Sequence, residues 1–439
     1  MSTQETSQKL SLVGAVLMNI NLMVGASAFI SPSMMAEHAD SASFYSWIYA
    51  ALLFFPVVWC VAQIAKLFPG KGSFFSYSNN VISKKAGFMS GWVYFLGYVS
   101  IGAMQTISLN EILTRQFNLG WLENHMLVFN LLLIGILLSL SWLSVHAIDR
   151  IQSNVTIFKI TPLIIGVVSL LYYFSPATTP AFTQVSLSTI TPTIPMAIFG
   201  FWGFEGVCSV SHLIQDGKRN TSRAIFLGFS IAVTVYTLFH LGMLSIMGAK
   251  ALKVYGAVAF PNYMGLSSPL VVNILNVLIT SAIICAHINA IFGGIIANSA
   301  MFCAMAEEKI LFMSNFFSSR RAHTNRPYGA AIAHAAGLLF CITLLARKEV
   351  LNAMSNLGLL IAFFFSIIAL IIVQRKRNDI KGQIVSVLGL ASCCLLSFYS
   401  WELIGLNTWQ RLCSSAPLIM VMLLGYIMFL HTRKCAKRA

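Results

Sequence analysis

The stretch GASAFISPS, residues 25–33, lies inside a segment otherwise apolar enough to cross a bilayer: SLVGAVLMNINLMVGASAFISPSMMAEH, residues 11–38. Lipid offers no water to replace a lost backbone hydrogen bond, so a membrane helix must satisfy its backbone internally. The small residues Gly25, Ala26 and Ser27 stand in a row there, and Pro32 follows. The stretch therefore predicts a helix that is interrupted near the middle of the membrane.

The chain as a whole has the composition of a membrane protein. Of its 439 residues 57% are hydrophobic and 9% charged, and its mean hydropathy is +0.79. Soluble globular proteins carry about 25% charged residues, so a soluble domain is excluded. The nine cysteines show no C-x-x-C spacing, which favours a role as small apolar side chains. We expect no metal site and no cofactor.

Hydropathy predicts an all-α membrane protein with twelve transmembrane helices, since a crossing needs about 20 apolar residues. The predicted spans are residues 11–36, 44–66, 86–114, 125–145, 154–175, 192–214, 223–247, 269–304, 328–346, 350–374, 383–403 and 412–431. An even number of spans places both termini on the same side of the membrane.

Lysine and arginine give the orientation. If the termini are cytoplasmic, 22 of the 28 Lys and Arg residues lie on the cytoplasmic side and 6 on the outer side, in agreement with the positive-inside rule. We therefore expect a multi-pass protein of the plasma membrane (the inner membrane in a bacterium) with cytoplasmic termini. These loops also explain the net charge of +15, so nucleic acid is not an expected partner. The expected partners are lipid and a small-molecule substrate, with the protein as a monomer or homodimer.

A second interruption is predicted in the sixth span, which reads TPTIPMAIFGFWGFEGVCSVSHLIQDGKRN at residues 191–220. Gly200, Gly203 and Gly206 surround Glu205 there. Two broken helices five spans apart indicate a transporter built from inverted repeats. The predicted division is residues 1–180 for helices 1–5, residues 190–375 for helices 6–10, and residues 382–431 for two added helices, all in one transporter domain. The alternative is that both clusters only allow close helix packing.

The two interruptions together suit an amino acid. Free amides around Ala26 and Ser27, at the N-terminal end of a half-helix, would attract a carboxylate. Free carbonyls at residues 199–201 would face an ammonium group.

Several motifs resemble the amino acid–polyamine–organocation superfamily of transporters. They are VGASAFISP in the first span, FPGKGSFFSYSNNVISKKAGFMSGWVYFLG before and within the third, FGFWGFEGVCSV followed by DGKRNTSRAI at the sixth, and AMAEEKILF at the end of the eighth. The twelve-span length and the tenth span look most like the bacterial branch that exchanges basic amino acids for their amines. The resemblance implies a five-plus-five inverted repeat with the substrate between helices 1, 3, 6, 8 and 10.

Laid on this sequence, the resemblance implies a set of substrate-binding residues. They are Met23, Gly25, Ala26, Ser27, Gly97, Tyr98, Gln105, Phe199, Gly200, Trp202, Gly294 and Asn356. The amine exchangers usually carry tryptophan at the positions of Phe199 and Gly294. Because a cation stacks best on tryptophan, a cationic substrate side chain is less well supported here, and Trp202 is either the replacement ring or a packing residue.

Two charges are predicted inside the membrane, where an ionisable residue is by default a functional candidate. The resemblance links Glu205 to gating and pH response; alternatively its carboxylate caps free amides of the break. Lys159, in NVTIFKITPLII, either snorkels to the interface or, as the resemblance implies, places its ammonium where sodium binds in sodium-coupled relatives.

The expected function is a secondary active amino acid transporter, a permease or antiporter, that works by alternating access without sodium and with proton coupling left open. The alternatives are an amino acid/amine (polyamine) exchanger and, more distantly, a channel. An enzyme is not expected, because the sequence has no H-E-x-x-H, no G-x-S-x-G and no nucleotide-binding loop.

Overall fold

The computed structural model of the protein describes residues 10–68, 74–116, 119–173 and 186–436. The other residues lie outside this description. They include residues 69–73 of the second motif quoted above, the predicted repeat boundary at residue 180, and the basic residues Lys9, Lys71, Lys437 and Arg438.

Across the described ranges the chain forms seventeen α-helices, four short 3-10 segments and no β-strand. The helices are α1 (Leu12–Met23), α2 (Ser27–Ala39), α3 (Tyr45–Leu67), α4 (Phe74–Val81), α5 (Lys84–Gln116), α6 (Gly120–Asn124), α7 (Met126–Leu140), α8 (Val145–Tyr173), α9 (Leu187–Ile190), α10 (Ile194–Phe201), α11 (Gly217–Tyr255), α12 (Pro269–Glu307), α13 (Ser314–Phe317), α14 (Gly329–Leu344), α15 (Lys348–Lys376), α16 (Ile380–Glu402) and α17 (Thr408–Ala436). The 3-10 segments are Asp40–Phe44, Thr191–Thr193, Gly206–Leu213 and Ala257–Tyr263.

Local sequence explains where several helices begin. Ser11 caps α1 by accepting a hydrogen bond from the Gly14 amide at 3.2 Å, and Asp379 caps α16 through the Gly382 amide at 2.9 Å. Pro269 opens α12, at a position where the N–H that proline lacks would have no partner in any case.

The helices are long and apolar, as the hydropathy predicts. In the described residues eight helical stretches can cross a membrane by length and composition, and α1, α7 and α14 are shorter apolar helices. The first predicted span falls on α1 and α2, and the sixth on α10 and the 3-10 segment Gly206–Leu213. The all-helical membrane class is therefore confirmed, whereas the count of twelve crossings stays a prediction.

The helix contacts follow a pairwise pattern. α1 packs on α11 and α10 on α3, while α5 packs on α15 and α12 on α8. If α10–α15 repeat α1–α8, the contact of α1 with α11 corresponds to that of α10 with α3, and the contact of α5 with α15 corresponds to that of α12 with α8. The pattern therefore suits the predicted five-plus-five arrangement. The boundaries of the repeats stay a prediction. α16 packs on α15 and α3, outside this set of helices.

An aromatic cluster holds the end of α10 in place. The ring of Phe54 on α3 lies 5.2–6.1 Å, centroid to centroid, from the rings of Phe201, Trp202, Phe204 and Phe229. Three of these four residues belong to the end of α10 and the turn that follows it. Fixed rings on α3 and α11 therefore position the second interruption.

Candidate functional site

The first interruption lies between α1 and α2, where the sequence predicts it. α1 ends at Met23, and α2 begins at Ser27. In between, the Val24 amide still donates to the Ile20 carbonyl at 2.7 Å, whereas the Gly25 amide turns back to the Met23 carbonyl at 2.7 Å. The backbone is thus broken by real changes of hydrogen bonding, and the small residues do more than permit close packing.

Two buried amides at this interruption have no acceptor. Among the hydrogen bonds of the described residues, none is donated by the amide of Ala26 or of Ser27, and these residues are 0% and 4% exposed. They stand at the N-terminal end of α2, where amides lack intrahelical acceptors and the helix dipole favours negative charge. This end of α2 is chemically suited to a carboxylate.

The second interruption follows α10. Trp202 leaves the helix in an extended conformation (φ −61°, ψ 138°), and Gly203 has φ +103°. In the described residues no amide beyond α10 donates to the carbonyls of Ile198, Phe199 or Gly200. The C-terminal end of α10 therefore offers acceptors, which suit an ammonium group.

The two interruptions touch each other. A side-chain carbon at Gly203 would lie 2.6 Å from the Leu22 carbonyl oxygen, so the backbone of one break passes directly over the other. The Ser31 hydroxyl on α2 donates to the Met196 carbonyl on α10 at 3.1 Å. The segments that carry the two breaks are therefore in direct contact.

Glu205 is buried at the second interruption and accepts three hydrogen bonds. Tyr98 donates to Oε1 at 2.7 Å, Tyr94 donates to Oε1 at 3.2 Å, and the Gly203 amide donates to Oε2 at 3.1 Å. The carboxylate therefore joins α5 to the break and also caps a free amide. Tyr98, expected to face the substrate, orients Glu205 through its hydroxyl group.

Lys159 on α8 is 1% exposed and reaches the first interruption. Its ammonium donates to the Asn21 carbonyl at 2.8 Å, near the C-terminal end of α1, where the helix dipole favours a cation. The neighbouring Thr156 hydroxyl donates to the Asn21 side chain. No ion pair among the described residues includes Lys159, and the buried side chain does not snorkel to the interface.

Trp202 and Asn356 are brought together. The Trp202 indole donates to Asn356 Oδ1 at 2.7 Å, and Asn356 Nδ2 donates to the Pro195 carbonyl at 2.9 Å. Trp202 is 5% exposed and its ring is held by Phe54. Asn356 therefore connects α15 to both ends of α10.

The remaining expected residues fall into three sets. Gly97 and Gly200 serve close packing, because an added carbon would lie 3.1 Å from Leu359 and 2.6 Å from the Trp47 ring. Phe199 and Gln105 are each 3% exposed, and Gln105 Oε1 has no hydrogen-bond partner. Gly294 lies on α12, one turn after Ala290, whose Cβ is 3.9 Å from a carbon added at Gly25.

Sequence reasoning missed two tyrosines at the site. Tyr94 precedes Tyr98 by four residues, a helical spacing that could have pointed to it. Tyr236 on α11 donates to the Met23 carbonyl at 2.7 Å, and no local pattern in its apolar segment marks it.

Comparison with known proteins agrees with this architecture. The sequence model "Amino acid permease" matches residues 10–428. The methylthioribose transporter of Bacillus subtilis (strain 168) is 22% identical to this chain, in an alignment that covers 98% of this chain and 95% of the transporter. The serine/threonine exchanger SteT of the same organism is 21% identical over 87% of both chains. In a solved structure, the Eremococcus coleocola manganese transporter has the same fold, with a TM-score of 0.60 at 14% identity over 100% of this chain and 99% of its own.

The family match covers nearly the whole chain, and the described helices are those of an integral membrane protein. The chain therefore belongs to the amino acid permease family, and it is a multi-pass membrane transporter and not an enzyme.

Proposed function

We propose that the protein is a secondary active transporter that holds the carboxylate of an amino acid on the free amides of Ala26 and Ser27. The observation that carries this proposal is the pair of buried amides without acceptors at the first interruption. The free carbonyls of residues 198–200 would receive the ammonium group of the same molecule. The serine/threonine exchanger among the relatives supports an amino acid substrate.

We propose that substrate access alternates between the two sides of the membrane, with helices 1–5 (residues 1–180) and 6–10 (residues 190–375) as inverted repeats and residues 382–431 as flanking helices. The paired contacts of α1 with α11 and of α10 with α3 support this division. Two half-helix breaks favour alternating access over a channel. The charge distribution supports cytoplasmic termini. The proposed assembly is a monomer or homodimer in the plasma membrane.

Sodium independence is part of the proposal. The Lys159 ammonium already occupies the carbonyl end of α1 beside the break, so a second cation there would be repelled. Glu205, held by two tyrosines from α5, is proposed as the gating carboxylate, with proton coupling as an option.

The second candidate function is exchange of a basic amino acid for an amine. It needs a ring that a cation can stack on. Phe199 and Gly294 replace the expected tryptophans, and Trp202 is fixed by Asn356. The site therefore favours a substrate without a cationic side chain.

Counterflow in proteoliposomes tests the proposal. Purified protein is reconstituted into proteoliposomes, which are loaded with each unlabelled amino acid in turn. Uptake of the same labelled amino acid is then measured in sodium and in choline buffer. We expect uptake of free amino acids in both buffers, and poor competition by their amides and methyl esters, which lack the carboxylate. Uptake that requires sodium would refute the role of Lys159, and equal competition by the esters would refute the role of the amides.

A further inference from the structure

The imidazole of His334, on α14, is buried between α5 and α12 with one nitrogen unpaired. Its exposed fraction is 0%, and its ring packs edge-on against Phe95 of α5 at 5.9 Å. Nδ1 lies 2.9 Å from Asn298 Nδ2 on α12. Nε2 is buried, and no hydrogen-bond partner for it exists among the described residues.

The hydrogen-bond network fixes which nitrogen carries the proton. Asn298 Nδ2 also lies 3.0 Å from the Phe95 carbonyl oxygen. A carbonyl can only accept, so the NH₂ group, and not the amide oxygen, must face Phe95. The second hydrogen of the same NH₂ group then points at His334 Nδ1, which must accept it. Neutral His334 consequently carries its proton on Nε2, and this N–H is a donor without an acceptor.

Nε2 of His334 lies beside Gly294 of α12, where the absent side chain leaves a gap. A carbon added at Gly294 would meet, within 4 Å, a single atom outside its own helix surroundings: His334 Nε2, at 4.0 Å. Gly294 is partly exposed, so the rest of the protein does not cover this part of α12 completely. Ala290, one turn earlier on α12, lies beside Gly25 of the first interruption. The gap is thus next to the proposed carboxylate site.

A buried N–H without an acceptor is costly, and native proteins keep such groups mainly where water, an ion or a ligand completes them. We propose that the side chain of the substrate lies over Gly294 and places an oxygen atom on His334 Nε2–H. This inference rests on the proposed function and narrows its substrate to amino acids with an oxygen acceptor in the side chain. An ammonium or guanidinium group offers no acceptor and is not recognised there.

Gly294→Ser and Gly294→Ala form a matched pair for the test. The added carbon fits in both variants, since His334 Nε2 is 4.0 Å away. Any effect of this carbon on transport is therefore the same in both variants. Only the serine hydroxyl can accept from Nε2–H within the protein. We expect Gly294→Ser to unfold at a higher temperature than Gly294→Ala and to lose discrimination between threonine and valine, which have nearly the same shape.

Wild-type protein supplies a test that needs no variant. Threonine should compete for counterflow at least about tenfold better than valine, because a site built around a hydrogen bond rejects the analogue that lacks it. Equal competition by the two would mean that a water molecule satisfies Nε2, and it would overturn the inference. So would Gly294→Ser and Gly294→Ala with the same unfolding temperature and the same discrimination.

The unfolding temperatures do not depend on transport, which separates this inference from the proposed function. If wild-type protein moves no amino acid, the proposed function and the threonine preference both fail. If it moves amino acids and the two Gly294 variants behave identically, the inference alone fails.

Discussion

The first interruption, between α1 and α2, leaves the amides of Ala26 and Ser27 free. In the second, at residues 202–205, the amide of Gly203 is instead bound by a side chain from the same segment. Glu205 supplies that side chain, and it adds a buried carboxylate next to the free carbonyls at the end of α10. Both breaks therefore expose backbone groups, but with opposite polarity. The first offers donors to an anion, and the second offers acceptors to a cation.

The comparison also shows that a break needs partners on other helices. Lys159 from α8 donates to a carbonyl near the end of α1, and Tyr98 from α5 donates to Glu205 at the second break. Tyr236 also donates at the first break and Tyr94 at the second, so each interruption is completed by polar side chains from neighbouring helices.

The largest difference should appear on adding a methyl group to each break. Gly203→Ala meets the Leu22 carbonyl at 2.6 Å and must keep φ +103°, so we expect the free energy of unfolding to fall by roughly 3 kcal/mol or more. At Gly25 the nearest atoms are at 3.8 and 3.9 Å, and Gly25→Ala should cost under about 1 kcal/mol.

Thermal unfolding in detergent and the yield of folded protein measure this difference. Gly135→Ala, with no atom within 4 Å of the added carbon, serves as a control for the methyl group itself. Equal stability of the Gly203 and Gly25 variants would show that the two breaks do not press against each other as described.

The second prediction concerns bulk at the free amides. Ala26→Leu adds bulk at a fully buried position between α1 and α2, so transport should be abolished. Ser27→Ala removes only the hydroxyl group and leaves the amide, so much of the transport should remain. Uptake of labelled amino acid into proteoliposomes measures both. Ala391→Leu, on an exposed part of α16, is the control for added bulk, and full transport by Ala26→Leu would exclude this stretch from the substrate site.

The sequence predicted the positions of both breaks because glycine clusters, a proline and a buried charge are local signals. It also placed Glu205 at the second break and Lys159 inside the membrane. It could not predict their partners: Tyr98 reaches Glu205 across 107 residues and Lys159 reaches Asn21 across 138 residues. Such contacts depend on how helices pack, and periodicity within one helix carries no record of them. The same reason hid Tyr236 and the pairing of Trp202 with Asn356.

The third prediction separates the charge of Lys159 from its packing. Lys159→Met keeps an unbranched side chain, one atom shorter, but leaves the Asn21 carbonyl without its ammonium donor. The protein should remain folded, because the cost of burying the ammonium disappears together with its hydrogen bond. Transport should fall by roughly tenfold or more, since a hydrogen bond to a charged group contributes about 1.5–3 kcal/mol. Initial uptake rates measure the loss, with Lys250→Met at an exposed lysine as the control. Wild-type rates in Lys159→Met would contradict the proposal.

The smallest effects should distinguish the two tyrosines that hold Glu205. Tyr98→Phe removes a hydrogen bond of 2.7 Å and Tyr94→Phe one of 3.2 Å, both to Oε1. The shorter bond is the stronger, so we expect Tyr98→Phe to lower the free energy of unfolding by about 1–2 kcal/mol and Tyr94→Phe by about 0.5–1 kcal/mol. Thermal unfolding gives the order, and Tyr172→Phe, at a ring that is 83% exposed, should change nothing. If Tyr94→Phe proved the more damaging, Glu205 would be oriented mainly from the α4 side of α5, where the Tyr94 ring stacks on Phe74. The carboxylate would then be held chiefly by the Tyr94 hydroxyl, and the Tyr98 hydroxyl would be free to face the substrate, as the family resemblance implies.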